Sequence, residues 1–280
     1  MPSGYFAYLH DLLKQRSGLL VTPDKMYLLE TRLMPVARKH GYRNLQELVD
    51  AMVAVPDEAL TVEVCEAMNT HESLFFRDQA PFEMFQETIL PELLKRRAAR
   101  RHIRIWCAAC ATGQEPYSLA MILEQEAKRL AGWKVEIIAT DISHSVLERA
   151  KEAVFSQFEV QRGLPMQYLV KHFKQEGEYW RLSRAIRDRV RFRPFNLLDD
   201  PRPLGRFDVV MCRNVLIYFD VKTKTRVLHA ISGAMAEDGV LFLGSSESTI
   251  GITEEFWPVE AGRGVYKRTD TPPCVAEQMN

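Results

Sequence analysis

The sequence lacks an excess of charge of either sign. Its 280 residues hold 37 Lys and Arg against 37 Asp and Glu, a net charge of zero. That argues against bulk electrostatic attraction to nucleic acid. No run approaches the roughly 18 apolar residues of a membrane span, so no direct membrane insertion is expected. The opening MPSGYFAYLHDLLKQ lacks the basic, apolar, then small-residue order of a signal peptide. Cysteine is scarce, five in all and therefore odd in number. These features together point to a reduced, cytoplasmic protein. Internal repeats and low-complexity segments are also missing. What remains is ample apolar content, 46% of residues, enough for one large core and a smaller one.

Two further absences concern the stretch RIWCAACATGQEPYSLA, residues 104–120. Zinc takes about four ligands. Cys107-x-x-Cys110 has no second pair, Cys65, Cys212 and Cys274 stand alone, and no His-x-x-x-His occurs, so no metal is expected. A redox pair sits at a helix N-terminus, whereas Pro116 and the helix start come several residues after Cys110. The pattern G-x-G-x-x-G is absent as well, leaving only Gly113, which disfavours a dinucleotide. Present instead is a strand feeding Ala, Ala, Cys, Ala, Thr and Gly. A helix follows, capped by Gln114 or Glu115 with Pro116 at its first position. Small side chains let a backbone approach a ligand while the helix start offers free N–H groups. A ligand without phosphate, such as S-adenosylmethionine, tolerates alanines there. A tight turn without any ligand is the other reading of this motif alone.

The organisation falls into two textures. The first 70 or so residues read as helical. Thr22 and Pro23 are an N-cap and first position, Gly41 ends that helix, and Pro35 must kink or interrupt it. Asn44 and Glu47 have capping-box spacing, with Leu45, Leu48, Val49 and Met52 on one face. A further helix starts at Pro56, and residues 79–100 read as one amphipathic helix ending in basic residues. After residue 101, short apolar runs alternate with helical patterns. This predicts an α/β fold, a doubly wound, mostly parallel sheet with helices on both faces. The terminal FWPVEAGRGVYKR reads as an antiparallel hairpin with Gly262 and Gly264 near its turn, and TDTPPCVAEQMN as a frayed tail. More than thirty residues separate the helix ending near Val154 from the strand at Arg189. That is too long for a structureless loop, so a small inserted subdomain with EYWRLS as one strand is expected.

Ligands of such sheets lie over the carboxyl ends of the strands at the topological switch. Asp141 ends the second strand, in ATDIS, where a carboxylate can accept from both ribose hydroxyls. Asn196 follows the third, within reach of an adenine edge, and Asn214 and Tyr218 follow the fourth.

THESLFFRD, IWCAACATGQEPYSLA, ATDIS, RGLP, FNLLD, MCRNVLIYF, GVLFLGSSES and FWPVEAGRGVYKR together resemble the CheR chemotaxis methyltransferases, up to about residue 268. The resemblance implies a Rossmann-like, S-adenosylmethionine-dependent protein-glutamate O-methyltransferase that acts on chemoreceptors and releases S-adenosylhomocysteine. It implies a receptor-recognising helical domain at 1–75, a linking helix at 76–100, and a methyltransferase domain at 101–270. An antiparallel β-subdomain is inserted at about 156–188, and a flexible tail occupies 271–280. The cofactor contacts it implies are His71, Ser73, Arg77, Ala109, Gly113, Glu115, Asp141, Asn196, Leu197, Asn214 and Val215. His71 and Ser73 stand where the family has Asn and Thr. Arg32, Arg38, Lys39 and Arg43 are the implied basic residues meeting the cytoplasmic helical domain of transmembrane chemoreceptors, and a solvated helix face is their other reading. KQEGEY between Phe173 and Trp180 is shorter than in members that dock a receptor C-terminal pentapeptide, which favours a pentapeptide-independent enzyme; a monomer is expected.

Methyl transfer from a sulfonium to a carboxylate is an in-line displacement whose nucleophile is ionised at neutral pH, since Glu titrates near about 4.3. No strong base is required, and the sequence offers no Ser-His-Asp set. Arg77 is expected to steer the substrate carboxylate and Tyr218 to line the methyl-transfer path. Amino-methylating nucleic-acid enzymes of this fold place an Asp/Asn-Pro-Pro-aromatic turn after strand four, where this chain has Arg213-Asn214-Val215, and Cys212 follows Met rather than the proline of cytosine enzymes. A methyltransferase with another protein or nucleic acid as substrate, and a non-catalytic cofactor- or receptor-binding module, are the alternatives.

Overall fold

The computed structural model describes residues 4–259 and 263–268. The chain divides into two compact units. One runs to His71 and includes Tyr218–Thr223, and the other comprises Glu72–Ile217 with the chain from Lys224 onward.

The first unit contains α1 (Gly4–Ser17), α2 (Met26–Lys39), α3 (Leu45–Ala54) and α4 (Glu58–Met68). Leu9, Leu13, Leu29, Leu33, Leu48 and Val64 are fully buried in its core. Local expectations are refined here. Thr22 makes no capping bond; Pro23–Lys25 forms a 3-10 turn and α2 starts at Met26. Pro35 lies inside an unbroken α2. Asn44 caps α3 by accepting from Glu47 N (2.8 Å), while Glu47 returns to the N–H of Arg43 rather than of Asn44. The fourth helix starts at Glu58, because Asp57, not Pro56, supplies the cap to the Ala59 and Leu60 amides.

In the second unit, the single helix expected over 79–100 is three pieces: α5 (Ala80–Met84), a π-helical turn at Phe85–Ile89, and α6 (Leu90–Arg96). Pro91, near the start of α6, has no N–H to donate to a continuous α-helical ladder. Then follow β1 (His102–Ala108), α7 (Gln114–Gln125), β2 (Lys134–Asp141), α8 (His144–Glu152), β3 (Val154–Ser156), α9 (Gln157–Gln161) and α10 (Met166–His172). The unit continues with β4 (Phe173–Glu176), β5 (Tyr179–Leu182), α11 (Arg184–Arg187), β6 (Val190–Pro194) and β7 (Phe207–Cys212). It closes with α12 (Val221–Gly233), which begins within the Tyr218–Thr223 segment, β8 (Met235–Leu243), β9 (Phe256–Pro258) and β10 (Val265–Arg268).

The main sheet has the order β6-β2-β1-β7-β8-β10-β9. The strands from β6 to β8 are parallel, and β10 pairs antiparallel with both β8 and β9. Strand order reverses between β1 and β7, the switch point of a doubly wound, Rossmann-like domain. The terminal hairpin forms as expected; Gly262 and the TDTPPCVAEQMN tail lie outside the described residues, apart from the hairpin's own strands. The long crossover is the expected small subdomain, an antiparallel sheet of order β3-β5-β4 with its helices. Trp106, Tyr117, Phe155, Phe207 and Phe242 are among the largest fully buried side chains.

Candidate active site

Four strands deliver the crevice. Ala108 of β1 is level with Thr140 of β2 and Cys212 of β7, and Asp141 is level with Pro194 of β6. The segments that leave these strands, 109–113, 141–143, 195–198 and 213–217, therefore emerge at one edge. That register explains why Ala109, Asp141, Asn196, Leu197, Asn214 and Val215, scattered in sequence, are neighbouring exits of one sheet.

The backbone at this edge is forced. Ala109 (φ 56°), Ala111 (φ 46°) and Asn214 (φ 60°) are left-handed, as are Phe76, Asp78 and Gln79 in the loop that precedes α5. Such conformations cost of order 1–3 kcal/mol each and cluster at functional sites. α7 begins at Gln114, with Gly113 at the cap position (φ 91°) and no side-chain cap. The expected cap at Gln114 or Glu115 is thus corrected, and Pro116 occupies the third helical position. A Cβ on Gly113 would meet Tyr117, Ala150 and Phe192 at 3.0–3.3 Å. Its smallness serves helix-on-sheet packing at a left-handed turn.

Asp141 is 5% exposed. Its Oδ2 accepts from Ala111 N (2.9 Å) and its Oδ1 from Ser143 N (3.1 Å), so one carboxylate ties the β1 and β2 exits together. Each oxygen keeps lone-pair capacity for a second donor, as recognition of a ribose diol demands. Asn196 Oδ1 accepts from Leu198 N (3.0 Å), and Phe195 N donates to the Asp141 carbonyl (2.9 Å), which fixes the β6 exit beside Asp141.

Sequence reasoning passed over the residue at the centre of the edge. Arg213, its side chain 1% exposed, donates to Glu115 Oε2 (3.0 Å), Asp78 Oδ2 (2.8 Å) and the Arg77 carbonyl (2.7 Å). Its guanidinium also lies 5.5 Å from the centroid of Phe82. One cation thereby joins the β7 exit, the start of α7 and the Arg77 loop. Glu247 was likewise missed: it accepts from Asn214 N (2.7 Å), Gly244 N (2.6 Å) and Ile217 N (3.3 Å), fixing the left-handed Asn214. The available signal was an arginine directly after the apolar run VVMC at the end of a strand. Burial pushes the Glu115 carboxyl above its ordinary range, with the charge of Glu247 adding to the shift and Arg213 opposing it.

Ser73 and Arg77 are half-buried in the loop of this unit, and Arg77 reaches the Glu72 carbonyl at 3.5 Å. His71 and Tyr218 belong to the helical unit, where the Tyr218 carbonyl accepts from Leu20 N (2.9 Å). Arg32 donates to the carbonyls of Met68 (2.6 Å) and Asn69 (3.3 Å), closing α4. Lys39 pairs with Glu63 (2.8 Å), and Arg38 and Arg43 are exposed. Cys107 and Cys110 are buried, and burial pushes both thiols well above their ordinary value, which suits packing and not thiolate chemistry. Among the described residues no group of three or more His, Cys, Asp or Glu could hold a metal ion.

Within the second unit the edge carries Asp141, Glu115, Glu247 and Asp78 against Arg213 and Arg77, a surplus of carboxylate. A nucleoside bearing a sulfonium and an ammonium suits that surplus, and a pyrophosphate does not. These acceptor groups fit S-adenosylmethionine.

Comparison with known proteins agrees. Residues 71–265 match the family model for the CheR methyltransferase SAM binding domain, and residues 5–62 that for the CheR methyltransferase all-alpha domain. The chain is 38% identical over 264 residues to chemotaxis protein methyltransferase Cher2 of Pseudomonas putida, covering 93% of this chain and 96% of that protein. It is 39% identical over 267 residues to chemotaxis protein methyltransferase 1 of Pseudomonas aeruginosa, covering 94% and 97%. Among solved structures, magnesium protoporphyrin IX methyltransferase from Synechocystis PCC 6803 with bound SAM aligns at 15% identity and TM-score 0.33, over 70% of this chain and 83% of that one, too loosely to add weight. The strand order, the Asp141 carboxylate and the match of both family models together make this chain a member of the CheR methyltransferase family, an S-adenosylmethionine-dependent methyltransferase.

Proposed function

We propose that this enzyme methylates glutamate side chains of chemoreceptors in the cytoplasm, giving glutamate methyl esters and S-adenosylhomocysteine. The observation that carries the reading is its similarity to chemotaxis protein methyltransferases over 93% or more of the chain. When bound, S-adenosylmethionine supplies a methyl group on a sulfonium, open to an anionic oxygen. Asp141 holds the ribose, Asn196 and Leu197 flank the adenine side, and Ala109, Gly113, Asn214 and Val215 shape the backbone around the nucleoside. Glu115 serves the cationic end, and His71 and Ser73 take the contacts that the family resemblance gives them.

The substrate glutamate arrives ionised, so the site needs positioning and removal of water rather than a base. Arg77 steers that carboxylate, and Tyr218 lines the path of the methyl group. Exposed Arg38 and Arg43, with Lys39 and Arg32, offer the helical unit's positive face to acidic receptor helices. The hairpin of β4 and β5 turns through Gly177 and Glu178 alone, which supports a pentapeptide-independent mode.

Incubation with radiolabelled S-adenosylmethionine and receptor-containing membranes tests the reading. Base-labile label on the receptor is expected. Label on nucleic acid, on another protein, or nowhere refutes it. Arg77→Ala should slow the transfer at least tenfold, and an unchanged rate removes Arg77 from the mechanism.

A further inference from the structure

The RGLP motif, residues 162–165, lies in the turn between α9 and α10 of the inserted subdomain, away from the strand exits. It nevertheless touches the Arg77 loop. Gly163 (φ 86°) is so close to Phe75 that a Cβ there would fall inside 3.0 Å of the Phe75 carbonyl oxygen. Arg162 pairs with Glu72 (2.9 Å) at the start of the same loop. Phe75, 0% exposed, packs edge-on against Phe155 of β3 (4.9 Å between centroids) and Phe173 of β4 (5.6 Å). Phe76 stacks on Tyr168 of α10 (4.9 Å). On its opposite side the loop is held by the cofactor edge: Phe76 N donates to Ser118 Oγ (3.0 Å), and Arg213 binds Arg77 O and Asp78. Phe76 and Asp78, which flank Arg77, are both left-handed (φ 49° and 66°). Non-glycine residues hold that conformation only where the surroundings over-determine it.

We propose that the inserted subdomain is a positioning element for Arg77, with Gly163 and Phe75 as its points of purchase on the loop. The subdomain supplies an aromatic seat and a close backbone contact, and the loop, gripped between that seat and Arg213, has one place for Arg77. The proposal rests on the role given to Arg77 above. It adds that the subdomain acts on methyl transfer through that residue, and not merely by completing the fold.

Two glycines of the subdomain provide the test. Gly163 and Gly177 both have positive φ (86° and 63°), but a Cβ on Gly177 meets nothing within 4 Å. Asparagine tolerates the left-handed region. Gly163→Asn therefore retains a tolerable backbone while pushing on Phe75, and Gly177→Asn is its control. For Gly163→Asn, the expectation is a kcat for receptor methylation at least tenfold lower and a raised Kd for S-adenosylmethionine, because Ser73 and Arg77 of the same loop are also implied cofactor contacts. Hydrogen exchange at the Phe76 amide should be faster. Gly177→Asn should match the parent enzyme in all three. Phe155→Leu, which loosens the seat from the subdomain side, should repeat the Gly163→Asn pattern if that variant does not fold. Parent-like exchange at Phe76 in Gly163→Asn, or equal losses in Gly177→Asn, overturns the proposal. Faster exchange with unchanged kcat overturns it too if Arg77→Ala is slow. If Arg77→Ala is itself unimpaired, the subdomain still sets the loop, and it is the reading of Arg77 that fails.

Discussion

At the amino end of the parallel strands, Asp208 accepts from Arg97 (2.8 Å), Arg100 (2.5 Å) and the N–H of Arg104 (2.8 Å), and Arg97 also pairs with Asp238. At the carboxyl end, Arg213 plays the mirrored part, one cation among Glu115, Asp78 and the Arg77 carbonyl. Both ends bury charge, yet they differ in what surrounds it. The amino end uses its arginines to staple α6 and the starts of β1, β7 and β8, and the 97–104 segment has one left-handed residue, Arg101. The carboxyl end adds strained loops, a carboxylate with spare lone pairs and a glutamate whose charge burial disfavours. One end is electrostatics used up internally. The other is electrostatics left open to a ligand.

Cutting one charge at each end is the strongest test. Arg213→Met leaves Glu115 and Asp78 uncompensated, a loss of about 3–5 kcal/mol in urea unfolding, and should abolish methyl transfer. Asp208→Ala should cost less, because Arg100 is 54% exposed and can rehydrate, and the folded fraction should keep its kcat and its KM for S-adenosylmethionine. Equal catalytic losses would erase the distinction between the ends.

Next in size, Asp141→Ala removes the acceptor of two backbone amides and, in the role proposed for it, of the ribose hydroxyls. At about 1.5–3 kcal/mol for a hydrogen bond to a charged group, cofactor Kd measured by calorimetry should rise at least tenfold.

The two ends should also answer pH in opposite senses. Asp238 is held below its ordinary 3.8 chiefly by the hydrogen bond from Arg97, so its stabilisation is present above that value and is lost as pH falls through the lower folded value. Glu115 is raised above its ordinary 4.5 by burial, so the folded state binds the proton more tightly and stability from this group falls as pH rises from 4.5. Urea midpoints followed from below pH 3.8 to well above pH 4.5 should lose the acid limb in Asp238→Asn and the upper slope in Glu115→Gln. Saturating S-adenosylmethionine, a cation that the proposed function sets beside Glu115, should flatten the upper slope alone.

The smallest effect belongs to the cysteines. Cys110→Ala should cost about 1 kcal/mol and leave cofactor affinity within twofold. Gly113→Ala, forced to φ 91° with neighbours at 3.0–3.3 Å, should harm both more.

What the sequence determined by itself was local. Alternating apolar runs and helical periods specify strands and helices because the pleat and the helical turn repeat within a few residues. Their order specifies a doubly wound sheet, and Asp141 at the end of β2 follows from the same reading. Prolines and caps were less legible: Pro35 sits in an intact helix where a kink or break was expected, Thr22 makes no capping bond, and Asp57 rather than Pro56 opens its helix, because neighbouring bonds decide them. What only the tertiary structure decided is who holds whom. The partners of Arg213 lie 98 to 136 residues away in the chain, and Gly163 matters because of a carbonyl at Phe75. Those contacts exist because strand register brings distant exits to one edge and the inserted subdomain against one loop. No periodicity encodes such a meeting, since it depends on how separately formed elements pack.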